Sequence, residues 1–237
     1  MDARALPVTD AALPDAHLDL GCGKRPRNPY RRKRLCGVDI RAVGSSEDFE
    51  FRAANVTLDP IPYGDDEFGS ISAFDFVEHV PRILTTPDGR ATVFPFIRLM
   101  NEVWRVLAPG GRFYALTPAY PHPEAFQDPT HVNIITDRTH EYFCGDNPLG
   151  RMYGFHGSFV ARRTGWVRLE TSFDATATAT GAPPSALLRL HAPVHKRLAR
   201  GVRDALRRLR GRQQPPDAAP GRLMYFLWEL EAVKPAR

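Results

Sequence analysis

Short apolar strands that run directly into glycine or acidic residues constrain this chain more than any other feature. Ala16–Leu20 leads into Gly21-Cys22-Gly23, and Leu35–Ile40 carries Asp39 at its end. Phe49–Ala53 and Ser70–Phe74 read as two further strands. Residues 95–108 then switch to helical spacing, with Ile97, Met100, Val103, Trp104 and Leu107 on one face. Pro109-Gly110-Gly111 is predicted to stop that helix. Arg112–Thr117, Trp166–Phe173 and Leu223–Val233 complete seven strands, the last two predicted as antiparallel neighbours. Strands alternating with helical segments specify an α/β fold, doubly wound around a mostly parallel sheet. Ligands on such sheets bind beyond the strand C-termini, where the strand order switches.

The chain's 237 residues suit one domain spanning 1–237 rather than two. A charged fraction of 25% excludes wholesale disorder. The 22 prolines favour a loop-rich enzyme over a helical bundle. Cys22, Cys36 and Cys144 are too few and too scattered for a disulfide framework or a zinc site. The first residues lack the apolar stretch of a signal peptide, and no apolar run approaches about 18 residues. The expectation is a cytoplasmic protein.

The net charge of +5 is localised. Residues 185–212 hold nine Lys/Arg and one Asp, a local charge of +8 that leaves −3 for the rest. Leu187, Leu190, Val194, Leu198, Val202, Leu206 and Leu209 give this segment helical periodicity, with linker-like flanks. It reads as a basic amphipathic insertion before the last strand. An apolar face packed on the domain is its plain reading, and peripheral attachment to an anionic membrane is the sharper one. Arginine runs also bind phosphate, but without interleaved aromatics nucleic acid is the weaker partner.

Gly21 and Gly23 let the backbone turn sharply and a ligand approach it without intervening Cβ atoms. Asp39 ends the next strand with a carboxylate able to accept hydrogen bonds from both hydroxyls of a ribose. No third glycine follows Gly23, where Lys24, Arg25 and Pro26 stand, so the dinucleotide fingerprint is incomplete and nicotinamide oxidoreduction is disfavoured.

With these motifs in order, the chain resembles the class I S-adenosylmethionine-dependent methyltransferases. LDLGCG is similar to their first motif and GVDI to their acidic second-strand end. The stretch from Asn55 to Val80, LMNEVWRVLAPGGRFYALTP and AFQDPTHVNIITDRTHEYF are similar to later motifs, the last to the substrate loop of a type 11-like branch. The resemblance implies a Rossmann-like seven-stranded sheet and S-adenosylmethionine as cofactor. It implies that Gly21, Cys22 and Gly23 pass under the methionine moiety, with Asp19 near its amine. Asp39 would hold the ribose, Asn55 and Val56 the adenine, and Phe74 and Asp75 the wall beside the sulfonium. Pro26 and Pro29 depart from the pattern, so the usual first helix is expected to be short or displaced, and Lys24 or Arg25 to pair with the methionine carboxylate.

Methyl transfer to a hydroxyl benefits from a base. His131, oriented by Asp128, is the first candidate, and Glu78-His79 the second. Their plain readings are a loop-fixing hydrogen bond and a pair at a helix start. No metal site is expected, because the carboxylate and histidine candidates do not converge at ligand spacings. The acceptor is read as a small molecule or a glycan or lipid-linked group. RNA or protein methylation, and an inactive cofactor-binding partner subunit, are the rivals.

Overall fold

In the computed structural model, the structure describes residues 13–42, 44–169, 172–175 and 224–235. The basic segment 185–212 lies outside the described residues. Seven strands form one sheet. They are β1 (Ala16–Leu20), β2 (Arg34–Asp39), β3 (Glu50–Ala53), β4 (Phe68–Phe74), β7 (Leu107–Thr117), β8 (Phe159–Arg168) and β9 (Met224–Ala232). A small hairpin, β5 (Leu84–Thr85) and β6 (Thr92–Val93), stands apart. The sheet order is β3-β2-β1-β4-β7-β9-β8. Neighbours from β3 to β7 are parallel, whereas β9 runs antiparallel to both β7 and β8.

Every residue of β1 and β4 is buried, as befits central strands covered on both faces. Alternation assigns each side chain. Leu18, Leu20, Ile71 and Ala73 join the main core with α1 (Pro95–Val106). Phe74, Tyr114, Leu116, Val167, Tyr225 and Leu227 form a smaller cluster of their own. Helix α1 starts with Pro95 in its first turn, where a missing N–H costs nothing. Its buried stripe is Phe96, Leu99, Met100, Val103 and Val106, rotated from the predicted one, and Ile97 and Trp104 sit at the margin.

Pro109-Gly110-Gly111 does not follow the helix as a separate stop. The chain turns extended at Leu107, and the three residues form an irregularity within β7, where Phe68 pairs with Leu107 and Ser70 already with Arg112. Strand β8 begins at Phe159, earlier than Trp166, because its first half is a partly exposed stretch with Arg162 and Arg163. Those arginines pair across the ladder with Glu231 and Glu229. Residues 21–33 contain no helix, consistent with the prolines there. The chain leaves β1 for β2 and β3 on one side and returns to β4 on the other, so the order switches between β1 and β4.

Candidate active site

At that switch point a cleft of about 350 Å³ opens beyond the strand ends. Gly21, Val38, Asp39, Arg41, Asn55, Val56, Asp75, Phe76 and His79 line it. Gly21 takes φ +66° and its N–H donates to Val38 O at 2.8 Å, which folds the turn back onto β2. Gly23 takes φ +58° and its N–H donates to Asp39 Oδ2 at 2.9 Å. Cys22 is buried between them. Burial first, then the carboxylates of Asp19 and Asp39, push its thiol up to about 12, so it is a packing residue and no nucleophile.

Asp39 is 6% exposed, and its carboxylate is not idle. Oδ1 accepts from the Arg41 backbone N–H and Nε, each at 3.0 Å. Burial alone would raise its pKa, but the Arg41 and Gly23 donors together hold it below the usual range. The Arg41 side chain is 73% exposed, so it can swing away. Asn55 forms an Asx turn, its Oδ1 accepting from Thr57 N at 3.3 Å. Asp75 holds φ +50°, a conformation costly for a non-glycine residue, with its N–H donating to Leu116 O.

Of the residues expected at the cofactor, Asp19, Cys22, Gly23 and Phe74 are absent from the cleft lining. Asp19 is fully buried, its Oδ1 accepting from Ser72 Oγ at 2.6 Å and its Oδ2 from Arg27 N at 2.8 Å. Burial pushes its carboxyl up to about 7. Ser72 in turn accepts from His17 Nε2 at 2.8 Å, and Ser70 Oγ bonds His17 Nδ1 at 2.8 Å. Because Ser72 donates to Asp19, the imidazole proton is assigned to Nε2. Phe74 packs with Tyr114 and Phe173 under the Arg27 guanidinium. Phe76, two residues on, takes the place at the cleft wall. A Cβ on Gly21 would approach its Cδ2 to 2.5 Å.

The catalytic candidates converge at the cleft's far end. Glu78, His79 and His131 each offer a ligand atom, all within 4.8 Å of one another. The expectation that carboxylates and histidines do not converge is therefore corrected. The chain brings them together through tertiary contacts that spacing does not encode. Asn133 is the clasp. Its N–H donates to Glu78 O at 2.9 Å, its Nδ2 to Val77 O at 2.9 Å, and its Oδ1 accepts from Arg82 Nε at 2.6 Å. The His79 and His131 rings meet edge to face, with centroids 4.8 Å apart.

The Asp128 carboxylate does not hold the His131 ring; Asp128 reaches His131 only through its backbone carbonyl, which accepts from His131 N–H at 3.1 Å. Asp128 Oδ1 accepts from Thr130 N and Oγ1, at 2.7 and 2.6 Å, and the Thr130 hydroxyl lies 3.0 Å from His79 Nδ1. With that hydroxyl proton committed to Asp128, Nδ1 of His79 donates, and its Nε2 keeps a lone pair. Glu78 is 1% exposed. Oε2 accepts from Thr117 Oγ1 at 3.0 Å, while Oε1 has no hydrogen-bond partner. Burial, reinforced by the nearby Asp75 charge, pushes its carboxyl up to about 8. His131 Nδ1 is also buried without a partner. A second cavity, of about 430 Å³, is lined by aromatic rings of Phe94, Phe96, Tyr142, Phe143 and Tyr153 together with Arg82 and Arg138.

Sequence reasoning missed His17, Arg41, Phe76, Thr117, Thr130 and Asn133. Only the His17–Asp19 and Ser70–Ser72 spacing of two carried a signal, since alternate polar residues on adjacent central strands must face one another.

No protein-family model matches the chain, and no curated protein matches it. Among solved structures it is similar to the YcgJ protein from Bacillus subtilis, at 17% identity, covering 96% of this chain and 95% of that one, with a TM-score of 0.48. It is also similar to geranyl diphosphate C-methyltransferase from Streptomyces coelicolor A3(2), at 17% identity, 92% and 73% coverage and a TM-score of 0.45. A third is a putative methyltransferase from Bacillus halodurans C-125, at 13% identity, 94% and 96% coverage and a TM-score of 0.43. The strand order itself, with one reversed strand in an otherwise parallel seven-stranded sheet, is the Rossmann-like fold that the motif resemblance implies. Among the described residues no helix is long and apolar enough to cross a membrane.

Proposed function

We propose that the chain is a class I S-adenosylmethionine-dependent methyltransferase acting on a hydroxyl of a small-molecule, glycan or lipid-linked acceptor. The observation that carries this reading is that His79 belongs both to the switch-point cleft and to the Glu78–His79–His131 cluster. A cofactor bed and a proton-handling group thus share one residue.

The cleft suits the cofactor in its donor set. Asp39 offers a carboxylate for ribose hydroxyls once Arg41 swings out, and Asn55 with Val56 offers a narrow polar and apolar bed for a base. Asp19 is spent on Ser72 and Arg27, so Asp75, exposed, lining the cleft and in contact with the Tyr225 hydroxyl, is the carboxylate that can receive an amine. When bound, S-adenosylmethionine supplies an already activated methyl group. The chain then has to orient the acceptor and take its proton. His79 performs the second task through Nε2, because Thr130 and Asp128 hold the ring by Nδ1. His131 stands edge-on beside it and fixes the acceptor oxygen. The aromatic cavity beside Arg82 accommodates the acceptor's body. Segment 185–212 positions the enzyme at an anionic membrane surface, which suits a lipid-linked acceptor.

Calorimetry with S-adenosylhomocysteine tests the cofactor site. Asp39→Ala removes hydrogen bonds to a charged group worth about 1.5–3 kcal/mol, roughly ten- to a hundredfold in affinity. His79→Ala removes the base and should lower turnover about a hundredfold or more, read by mass spectrometry of acceptors labelled with isotopic methyl, while His131→Ala should leave S-adenosylhomocysteine affinity unchanged. Full affinity in Asp39→Ala would remove the ribose assignment.

A further inference from the structure

Proton transfer leaves one feature of the cluster without purpose. Glu78 is 1% exposed and its Oε1 bonds nothing, and His131 Nδ1 is buried and bonds nothing. Buried polar atoms are costly when unmet. Both residues belong to the trio whose ligand atoms meet within 4.8 Å. A cation at their centre would satisfy both.

We propose that Glu78, His79 and His131 bind a divalent first-row transition ion at the end of the cleft. Two imidazoles and one carboxylate suit manganese, iron, cobalt or zinc, whereas magnesium and calcium take mainly oxygen ligands. Ligands at about 2.0–2.2 Å from an ion lie roughly 3 Å apart, so the three side chains draw in by small rotations. Their backbones need not move, because Asn133 already ties the 133 loop to Val77 and Glu78.

The outer contacts match those of a metal site. Ligating histidines donate their other N–H to an acceptor held by a carboxylate, and ligating carboxylates are themselves hydrogen-bonded. His79 Nδ1 has Thr130 backed by Asp128, and Glu78 Oε2 has Thr117. Three protein ligands leave open positions on the ion. The acceptor hydroxyl takes one of them, its pKa falls, and its proton passes to water. The oxygen lone pair then forms the bond to the methyl carbon while the carbon–sulfur bond breaks, its electrons remaining on sulfur. With the ion bound the imidazoles are ligands, and the base role of His79 belongs to the ion-free protein. The ion's role rests on the methyltransferase reading, whereas its binding does not.

The test uses the full chain, stripped with chelator and titrated with Co²⁺ by calorimetry and ligand-field absorption. One ion per chain with a saturable visible band is expected. Glu78→Gln, which keeps shape, and His131→Ala should each weaken Co²⁺ binding at least tenfold, and Co²⁺ should raise the thermal midpoint of the parent but not of Glu78→Gln. Absence of saturable binding, or equal binding in both variants, overturns the site. S-adenosylhomocysteine is titrated into the same samples. Cobalt bound without it keeps the ion site and sinks the methyltransferase reading, and the reverse result sinks the ion site alone.

Discussion

Gly21 turns the chain out of β1 at φ +66°, and a Cβ there would meet Phe76 Cδ2 at 2.5 Å. Gly23 has φ +58°, yet the nearest atom to its Cβ position is Arg41 at 3.9 Å. The two glycines therefore separate two costs. Gly23→Ala bears the left-handed backbone alone, about 1–2 kcal/mol. Gly21→Ala bears that and also displaces Phe76 from the cleft wall, so it should lose about 1 kcal/mol more and several-fold in S-adenosylhomocysteine affinity. Urea unfolding and calorimetry of the two variants side by side check this. Equal losses would mean that Phe76 does not form the wall.

The clasp between Val77–His79 and the 128–134 loop builds the site at the scale of elements. Asn133 is 1% exposed and serves Val77, Glu78 and Arg82 at once. Asn133→Ala removes the hydrogen bonds to the Val77 carbonyl and from Arg82 Nε, while Val77 O keeps Val80 N–H and Arg82 keeps Ile134 O, so the loss is about 1–3 kcal/mol. Its thermal midpoint should fall, and turnover should fall further than cofactor affinity, because the clasp lies at the catalytic end of the cleft. Retained turnover in a folded Asn133→Ala would show that the loop holds itself in place. β1 was legible to the residue, since an apolar run ending in glycine has one reading. The Asp39 end of the cleft was legible because the second apolar run ends in a carboxylate. Phe74 and Asp19 were misplaced because the motif locates a residue along the strand, while the pleat decides its face. Phe74 shares the face of Ser70 and Ser72, so its ring joins Tyr114. The start of β8 was hidden by its paired arginines. Glu78, His79 and His131 were each legible singly, but their meeting depends on Asn133, whose loop hydrogen bonds leave no period in the sequence.

Taken over the whole molecule, the buried ionisable groups set how stability depends on pH. Burial lifts Asp19 from 3.8 to about 7 and Glu78 from 4.5 to about 8. Between the unfolded and folded values the fold keeps protons that the unfolded chain has lost, so stability declines as pH rises through that window. His17 acts oppositely. Burial, helped by the Arg32 charge, lowers it from 6.5 to about 3, so below 6.5 the unfolded chain binds a proton that the fold refuses. Burial lowers His122 and His140 as well. Stability from these histidines rises as pH climbs to about 6.5 and then stops changing. Below that pH the histidines offset the acids and the profile is shallow. Above it the acids act alone, so chelator-treated protein should lose stability from about pH 6.5 to about pH 8. Urea unfolding at intervals across that range reads the slope. Glu78→Gln has no proton to lose and should flatten the upper part, from about 7 to about 8, while Asp19→Asn should flatten the lower part. A level profile in the parent chain would mean that both carboxylates stay ionised inside the fold, compensated by partners other than Thr117, Ser72 and Arg27.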